Sequence, residues 1–442
     1  MKKYSTLLSL YLAQSIPMSF FSTIVPVIMR QEHYSLTMIG LLQLVKLPWI
    51  FKFLWAPLVD KYGNSVDNFK RWIFTSEIVY AVIILGIGFL DLKFDFTLIV
   101  ILMVVAFTAS ATQDIATDAF AILVLKKEER SMGNSMQSAG TFLGTMAGSG
   151  VLLMMYHYFG WQGLMVCLAG FVILALIPLY FYKHKHSADV EAKIDLLNPN
   201  GLTPVTDAEI GENKDELIKK CPHHRTKFRD SSYKPASFSD IGLFFKQKGI
   251  ARRLILLFFF YSGIIGILSL VKPFLVDQGF TLKQIGIVSG ICGTASGALS
   301  AVLAGIIIRR IGRVKSLYLI ASIGVFTTLF FVWVVSGHIT KINLYSAVVM
   351  LWITYGMASV AVYTISMDIV RKGREGTDFT IQIVITHLSG ILMAIGSGKL
   401  ADVLSYKSLF MFESLLATCV LISIPILYRE KINNDDHTTT TS

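Results

Sequence analysis

The sequence predicts an all-α polytopic membrane protein with twelve transmembrane helices in two six-helix bundles. Of its 442 residues, 54% are hydrophobic and 16% are charged, and the mean hydropathy of +0.61 is too high for a soluble chain of this size. Apolar runs of about 20 residues, the length that crosses a bilayer as a helix, occur twelve times. A long polar stretch separates the first six runs from the last six.

The predicted spans follow the apolar runs in chain order. The first run is longer than the core of a signal peptide and lacks a small-residue cleavage site, so we interpret it as a spanning helix. The first six spans lie near Leu7 to Met29, Ile39 to Val59, Ile73 to Leu90, Phe96 to Leu125, Met136 to Tyr156 and Gln162 to Tyr182. The last six lie near Leu254 to Val276, Ile285 to Ile308, Leu317 to Val335, Leu344 to Val370, Phe379 to Leu400 and Leu409 to Tyr428.

These runs predict four regions of the chain. They are an N-terminal bundle over residues 1–182, a cytoplasmic linker loop over 183–253, a C-terminal bundle over 254–428 and a disordered tail over 429–442. The linker is polar and of mixed charge, with a short amphipathic helix expected around Ile241 to Phe245 on the membrane surface.

The basic residues predict the orientation of the chain. They fall in alternate short loops, including Lys126, Lys127 and Arg130, and positive loops stay on the cytoplasmic side. Both termini and the linker are therefore expected in the cytoplasm, with the protein in the inner (plasma) membrane. The net charge of +11 is explained by this orientation rather than by nucleic-acid binding, and four scattered cysteines form no disulfide framework.

Several function classes find no support in the sequence. It contains no HExxH, GxSxG or P-loop motif and no Cys or His cluster within the spans, so we expect neither an enzyme nor a bound metal or cofactor. The expected partners are the lipid bilayer and a small-molecule solute, bound by a monomer. A receptor or scaffold that keeps the fold without transport is the competing hypothesis.

Two acids in the fourth span are the leading candidates for function. Asp114 and Asp118 are one helical turn apart and share a face. Counted from Lys126 as the membrane edge, they lie roughly 18 Å and roughly 12 Å deep. Acids at such depth face a protein interior or a wet cavity. They either carry a coupling proton or pair structurally with basic side chains, and the deeper Asp114 is the expected proton carrier, with Asp118 as a relay or ion-pair partner.

Two motifs mark a family resemblance. The stretch Lys52 to Tyr62, followed by Lys70-Arg71-Trp72, resembles the second-span signature of AmpG-like muropeptide permeases in the major facilitator superfamily. Gln113-Asp114-Ile115 and Asp118-Ala119 are similar to the same group, which also includes RhtX- and FptX-type siderophore permeases and acetyl-CoA transporters. The resemblance implies a secondary active transporter.

The resemblance also implies residues that hold one state of the transport cycle. Asp60 ends the second span and is expected to meet a helix N-terminus or an arginine. Arg71, Arg309 and Arg313 lie in the matching loops, although the second-half loop, Gly305 to Arg313, lacks the acid.

Glycines at helical spacing form a stripe in two spans. In the fifth span they favour either tight helix packing or gating, and in the eighth they are expected where the bundles rock against each other. No proline follows Gly148 as in the superfamily's antiporter motif, which favours uniport or symport. The stripes are Gly140, Gly144 and Gly148, and Gly286, Gly290, Gly293 and Gly297.

Other polar side chains within the spans are candidates for a solute cavity. Lys52 is expected either to pair with an acid or to contact an anionic solute, and His387 is either a core residue or a proton carrier. The full set of cavity candidates is Gln113, Lys46, Lys52, Gln137, Gln382 and His387. The predicted function is proton-coupled import of a medium-sized polar or anionic solute, first a muropeptide, alternatively a siderophore or an acyl-CoA.

Overall fold

The computed structural model describes residues 2–31, 45–91, 94–182 and 235–428, and the regular elements in these ranges are all helices. The described residues up to 181 and from 236 onward form one compact unit. The predicted linker up to residue 234 and the predicted tail lie outside the described residues. The second half of the chain is therefore taken below as residues 235–428.

The described residues of the first half form eight α-helices, joined in places by tighter or wider turns. A 3₁₀ turn spans Lys52–Leu54, and a π-helical turn spans Ala147–Val151. The helices are α1 (Lys2–Gln31), α2 (Leu47–Phe51), α3 (Ala56–Tyr62), α4 (Val66–Gly88), α5 (Phe96–Val124), α6 (Arg130–Met146), α7 (Leu152–Ala175) and α8 (Ile177–Tyr180).

The described part of the second half contains nine α-helices. A π-helical segment, Gly286–Gly293, lies at the start of the eighth predicted span, between the fourth and fifth of these helices. The helices are α9 (Ser239–Phe245), α10 (Ile250–Phe259), α11 (Ser262–Asp277), α12 (Leu282–Ile285), α13 (Thr294–Ile311), α14 (Arg313–Val335), α15 (Lys341–Met367), α16 (Glu375–Leu404) and α17 (Tyr406–Leu427).

Nine helical segments of the described residues, some of them made of two consecutive helices, are long and apolar enough to cross a membrane. They coincide with the third, fourth, sixth and all six second-half spans that the sequence predicts, although the third begins at Val66 rather than Ile73. The first span is the 30-residue α1. The fifth and sixth spans are separated at Gly160, where φ is 62°, a left-handed conformation that glycine adopts without steric cost.

The second span is not the single helix that the sequence predicts. Residues 32–44 lie outside the described part, and the remainder is divided into α2, the 3₁₀ turn and α3, which ends at Tyr62 rather than Val59. Pro48 and Pro57 stand in the first turns of α2 and α3, where a missing backbone N–H costs nothing. The interruption places the side chain of Lys52 inside the protein.

The seventh predicted span is also divided, between α10 and α11. Tyr261 leaves the helical conformation, with φ of −125° and ψ of 18°. The Ser262 hydroxyl donates a hydrogen bond of 2.9 Å to the carbonyl oxygen of Phe259, so a side chain satisfies a carbonyl at the end of α10. Tyr261 thereby stands at the junction of two helices, next to the residues that face the first half.

The helices pack around two apolar cores, one in each half of the chain. The first-half core is built from α1, α4, α5 and α7, with Phe20, Tyr80 and Phe107 fully buried. The larger core is formed mainly by α10, α11, α13, α14, α15 and α17, with Phe274 and Phe331 fully buried, and Ala139 and Phe142 of α6 pack into it from the first half. Contacts between the halves are made by α6 on α13 and α15, and by α3 and α5 on α16.

The glycine stripe of the fifth span lies inside the first half. A Cβ atom at Gly140 would lie 3.1 Å from the carbonyl oxygen of Leu8, and one at Gly148 would lie 2.4 Å from that of Ile16. The stripe therefore lets α6 approach α1, which favours the packing interpretation over a gating role between the halves. Gly144 makes the same kind of approach, 2.6 Å from the Cβ of Ser15.

The glycines of the eighth span do not form the continuous contact that the sequence predicts. Gly286 and Gly290 have no atom within 4 Å of the Cβ position, whereas Gly293 lies against the side chain of Trp352. Of the original stripe, Gly297 reaches the first half, with the ring of Phe142 3.6 Å from its Cβ position. A closer approach between the halves occurs at Gly305, discussed below.

Candidate functional site

Asp114 forms a buried ion pair with Lys52. The ammonium group of Lys52 reaches one carboxylate oxygen, and the side chain of Lys52 is fully buried. The side-chain amide of Gln14, on α1, donates a hydrogen bond of 2.8 Å to the other oxygen. The Lys52 nitrogen also lies 5.0 Å from the ring centre of Trp49, a cation–π distance. The charge of Asp114 is thus compensated by a cation from the broken second span.

Asp118 is held by neutral donors. The Tyr11 hydroxyl lies 2.5 Å from its Oδ1 atom, and the Gln137 amide nitrogen lies 3.3 Å from the same atom. The residue is only 1% exposed. Among the described residues no basic side chain lies within ion-pair distance of it. Of the two expected roles of Asp118, ion-pair partner or relay, the ion pair is not formed here, because Lys52 lies beside Asp114. The role of Asp118 as a relay stays a prediction.

Aromatic residues of the second half face these acids. The helix α5, which carries both acids, and the turn that carries Lys52 pack against α16 of the second half, the helix that carries His387. The acids therefore lie where the two halves meet. A ring of edge-to-face aromatic pairs continues this junction, joining Phe142 to Trp352 and Tyr355 at centroid distances of 6.0 and 5.6 Å, and Tyr261 to Tyr355 at 6.0 Å.

Amide groups without protein partners lie beside the two acids. Gln113 is fully buried, and neither its amide nitrogen nor its oxygen has a hydrogen-bond partner in the described structure. The amide oxygens of Gln14 and Gln137 are likewise buried and unpartnered. Buried polar atoms are costly unless they are hydrogen-bonded. These groups therefore have hydrogen-bonding capacity that no side chain or backbone group of the described structure uses.

Two of the predicted cavity residues, Lys46 and Gln382, make no hydrogen bond or ion pair with Asp114 or Asp118 in the described structure. Lys46 precedes α2 and is partly exposed. Gln382 donates hydrogen bonds to the carbonyl oxygens of Ser366 (3.1 Å) and Asp378 (3.0 Å). Its amide thus ties the end of α15 to the start of α16. The amide nitrogen of Gln382 is therefore used by the backbone, whereas its amide oxygen is buried without a partner, as in Gln14 and Gln137. Its role as a solute contact stays a prediction.

Asp60 meets a helix N-terminus, one of the two partners that the sequence predicts. Its carboxylate accepts hydrogen bonds from the backbone N–H groups of Gly376 (2.8 Å) and Thr377 (2.7 Å) and from the Thr377 hydroxyl (2.6 Å). These groups form the first turn of α16, where the helix dipole favours an anion. A Cβ atom at Gly376 would lie 2.8 Å from the Asp60 oxygen, so glycine permits this approach.

Asp368 joins the halves at the same end of the molecule. One carboxylate oxygen pairs with Arg130 at 3.0 Å, and the other pairs with Arg313 at 3.0 Å. Arg313 also donates a 2.5 Å hydrogen bond to the carbonyl oxygen of Lys127. The sequence predicts only an orientation signal at Arg130, so its structural contact was missed. The sequence signal that could have indicated this contact is Asp368 itself, an acid late in the tenth predicted span.

Small residues also join the halves near Gly305, where the second-half loop has no acid that corresponds to Asp60. The Ser135 hydroxyl donates a 2.8 Å hydrogen bond to the Ala301 carbonyl oxygen, and a Cβ atom at Gly305 would overlap Ser135. The hydroxyls of Ser138 and Ser359 lie 2.9 Å apart. We call this region, formed by the contacts of Asp60, Asp368 and Ser135, the closed end.

Two of the predicted latch residues lie outside these contacts. Arg71 is exposed on α4, and Arg309 is exposed on α13. In the part of the chain that the structure describes, neither has an ion pair with an acid of the other half. Of the residues predicted to form a latch, Asp60 and Arg313 make contacts between the halves, and the structure adds Arg130 and Asp368 to these contacts. Sequence spacing alone does not indicate which arginine of a basic loop points inward.

Comparisons with known proteins agree with this architecture. Residues 7–394 match the sequence profile described as Major Facilitator Superfamily. The anhydromuropeptide permease of Escherichia coli K12 is 24% identical over 422 residues, covering 94% of this chain and 78% of that protein. The putative transporter AmpG 1 of Rickettsia prowazekii is 22% identical, covering 91% and 93%.

A solved structure shows the same fold. The proton:xylose symporter XylE, bound to 6-bromo-6-deoxy-D-glucose, superposes with a TM-score of 0.66 at 10% identity, covering 96% of this chain and 94% of that one. The profile match extends over most of the sequence, and the helices of both halves take part in the superposition. The chain therefore belongs to the Major Facilitator Superfamily and is a multi-pass membrane transporter.

Proposed function

We propose that the protein is a proton-coupled importer of a medium-sized polar or anionic solute, with a muropeptide as the first candidate. The observation that carries this proposal is the unequal environment of two neighbouring acids, one paired with Lys52 and the other held only by Tyr11 and Gln137. The names of the relatives support the solute class, since the permease from Escherichia coli is an anhydromuropeptide permease.

The acid that carries the proton in this proposal is Asp118. A buried carboxylate without a cation is unfavourable, and its neutral form is favoured where only neutral donors surround it. The Oδ1 atom accepts the hydrogen bonds of Tyr11 and Gln137, which leaves Oδ2 as the position for the proton. Asp114 keeps its charge because Lys52 compensates it.

The solute in this proposal binds across both halves. An anionic group of the solute competes with Asp114 for Lys52, and sugar or peptide groups hydrogen-bond to the unpartnered amides of Gln113, Gln14 and Gln137. The aromatic residues around Tyr355 supply faces for sugar rings. A molecule that combines sugars, amides and carboxylates uses all three kinds of group, which supports a muropeptide.

The transport cycle in this proposal follows from the closed end. If the basic loops lie in the cytoplasm, as the positive-inside rule indicates, the closed end faces the cytoplasm. The site around Asp118 is then reached from the outside in this conformation. Release into the cytoplasm requires the contacts of Asp60 and Asp368 to break, and reformation of these contacts returns the empty transporter.

The test is uptake of labelled anhydromuropeptide by proteoliposomes, with and without an inward acid gradient. The proposal expects accumulation above the outside concentration only when the gradient is imposed. Uptake that stops at the outside concentration in both cases removes proton coupling but keeps the transporter. Uptake of a labelled ferric siderophore or acyl-CoA by the same proteoliposomes, without uptake of the muropeptide, selects one of the alternative solutes. Saturable binding without uptake selects a receptor.

A further inference from the structure

The short helix α9 contacts the loop that precedes α16. The buried face of α9 carries Phe244, which packs with Ile250 and Ile381. The same face carries Asp240, whose Oδ2 atom pairs with the Nε atom of Arg374 at 2.7 Å. The carbonyl oxygen of Asp240 accepts a hydrogen bond of 2.9 Å from Arg371. The end of the predicted linker is therefore fixed to this loop at two arginines.

Asp240 keeps its charge at neutral pH. Burial raises the pKa of this carboxyl, but the hydrogen bonds from Arg374 and from the Ser237 backbone N–H outweigh burial, and the pKa is lowered from its ordinary value. The contact is therefore a stable ion pair rather than a pH switch.

The same loop leads directly to the closed end. Arg371 pairs with Asp378 in the first turn of α16 at 2.6 Å. Two residues of that turn, Gly376 and Thr377, donate the hydrogen bonds that hold Asp60 of the first half. A rigid series of contacts thus runs from α9 through Arg371 to the closed end.

The opposite face of α9 is exposed and apolar. Phe238 and Phe245 are seven residues apart, so they share a side of the helix, and they are 66% and 51% exposed. Leu243 is 47% exposed but lies on a different side of the helix, because it is five residues from Phe238 and two from Phe245. The following residues Lys246, Lys248 and Arg252 are exposed and basic. The only acid between residues 235 and 253 is Asp240, which is buried in the contacts described above.

We propose that this face of α9, formed by Phe238 and Phe245, docks on the anionic headgroup layer of the membrane and thereby stabilises the closed end. Charge supports this partner, because the exposed charges around the face are all positive. Continuity supports it as well. Only residues 246–249 separate α9 from α10, which begins a segment able to cross the membrane. Aromatic side chains beside basic ones are typical of a helix that lies in the membrane interface.

The first experiment measures where α9 lies. In a protein whose four cysteines are replaced by serine, a spin label is attached at Phe245→Cys or, as a control, at the exposed Lys372→Cys. We expect the label at 245 to collide more with oxygen than with a water-soluble nickel chelate in vesicles that contain phosphatidylglycerol, and the label at 372 to show the reverse. A label at 245 that is as accessible to the chelate as the label at 372 overturns the proposal.

The second experiment tests the effect on the closed end without requiring transport. Labels at Lys61→Cys and Lys372→Cys report the distance between the halves by pulsed electron spin resonance. We expect phosphatidylglycerol to increase the short-distance fraction over phosphatidylcholine alone. The effect should be lost in the Phe238→Ser, Phe245→Ser double variant and kept in the corresponding leucine variant, which stays apolar.

A third variant separates docking from its consequence. Asp240→Asn weakens the contact with Arg374 but leaves the exposed face intact. We expect the label at 245 to remain in the membrane while the lipid no longer changes the distance between the halves. An equal lipid effect in the serine and leucine variants overturns the proposal. Because neither readout involves a solute or a proton gradient, failure of the transport proposal would leave these results unchanged.

Discussion

The two acids of α5 differ in the side chains that neighbouring helices bring to them. A buried charge is tolerated when an opposite charge and hydrogen bonds compensate it, and Asp114 has both, from Lys52 and Gln14. Asp118 has hydrogen bonds alone. The proton in the proposed cycle therefore belongs to the acid whose charge is least compensated, and depth in the membrane is the weaker criterion.

The contrast predicts different behaviour of two isosteric variants. Asp118→Asn imitates the neutral acid, so the variant should still exchange labelled solute for unlabelled solute but should no longer accumulate it when an acid gradient is imposed. Asp114→Asn leaves the Lys52 charge without its partner and should impair exchange itself. Both activities are measured in the same liposome preparation. Continued accumulation by Asp118→Asn would assign the proton elsewhere.

The Lys52–Asp114 pair also predicts a change in stability. Removal of one member of a buried pair leaves the other uncompensated and typically costs about 3 to 5 kcal/mol. Lys52→Gln should therefore lower the thermal unfolding temperature in detergent markedly. The Lys52→Gln, Asp114→Asn double variant should recover most of the loss, since no unpaired charge remains. Additive losses in the double variant would show that the two side chains are not energetically coupled.

The residues of the site were partly predictable from the sequence. Asp114, Asp118 and Lys52 are polar residues in apolar runs, and their cost in lipid singles them out. Their partners were not predictable, because Tyr11 and Gln14 are uncharged and common in spanning helices. Which acid Lys52 reaches depends on the turn between α2 and α3, and hydropathy does not detect this turn.

At the scale of elements, glycine has two distinct uses in this protein. Gly148 and Gly290 both lie in π-helical segments, yet only Gly148 is in contact with another helix at the Cβ position. The sequence shows similar stripes in both spans and predicts similar roles. Stripe spacing identifies the face of a helix but not the helix opposite it, so the structure was needed to distinguish them.

This difference predicts unequal effects of the same substitution. Gly148→Ala places a Cβ atom 2.4 Å from the Ile16 carbonyl oxygen, a backbone atom that has to move with α1. Overpacking of this kind costs on the order of 1 to 3 kcal/mol in the free energy of unfolding, so we expect a clear fall in the thermal unfolding temperature. Gly290→Ala meets no atom within 4 Å and should be neutral. Equal effects of the two substitutions would contradict the assigned packing.

At the scale of the whole molecule, the halves are joined at the closed end by two different kinds of contact. The first half contributes the carboxylate of Asp60, which meets the N-terminus of α16. The second half contributes Gly305, which packs against Ser135 near the start of α6, and Asp368, which pairs with Arg130. The contact of Asp60 was predicted from the sequence. The contacts of Gly305 and Asp368 were not predictable, because their loop lacks the acid of the first half and a glycine–serine contact has no sequence signature beyond small residues.

These contacts predict how strongly the closed conformation is favoured. Loss of an anion at a helix N-terminus costs about 0.3 to 1 kcal/mol, and loss of a charged hydrogen-bonding partner costs about 1.5 to 3 kcal/mol. The Asp60→Asn, Asp368→Asn double variant should therefore destabilise the closed end by roughly 2 kcal/mol or more. Because each 1.4 kcal/mol is a factor of ten, the ratio of open to closed molecules should rise about thirtyfold.

The ratio can be measured from the reactivity of a buried position. Ser138 lies between the halves at the closed end and is 2% exposed, so a cysteine placed there in the cysteine-free protein reacts with a maleimide only when the halves separate. We expect the double variant to react about thirtyfold faster than the parent, in line with the free-energy change. Arg71→Gln serves as the control, because Arg71 is exposed and lies outside the contacts. If the double variant and the control react at the same rate as the parent, the carboxylates do not hold the halves together and closure depends on Ser135 and Gly305 packing alone.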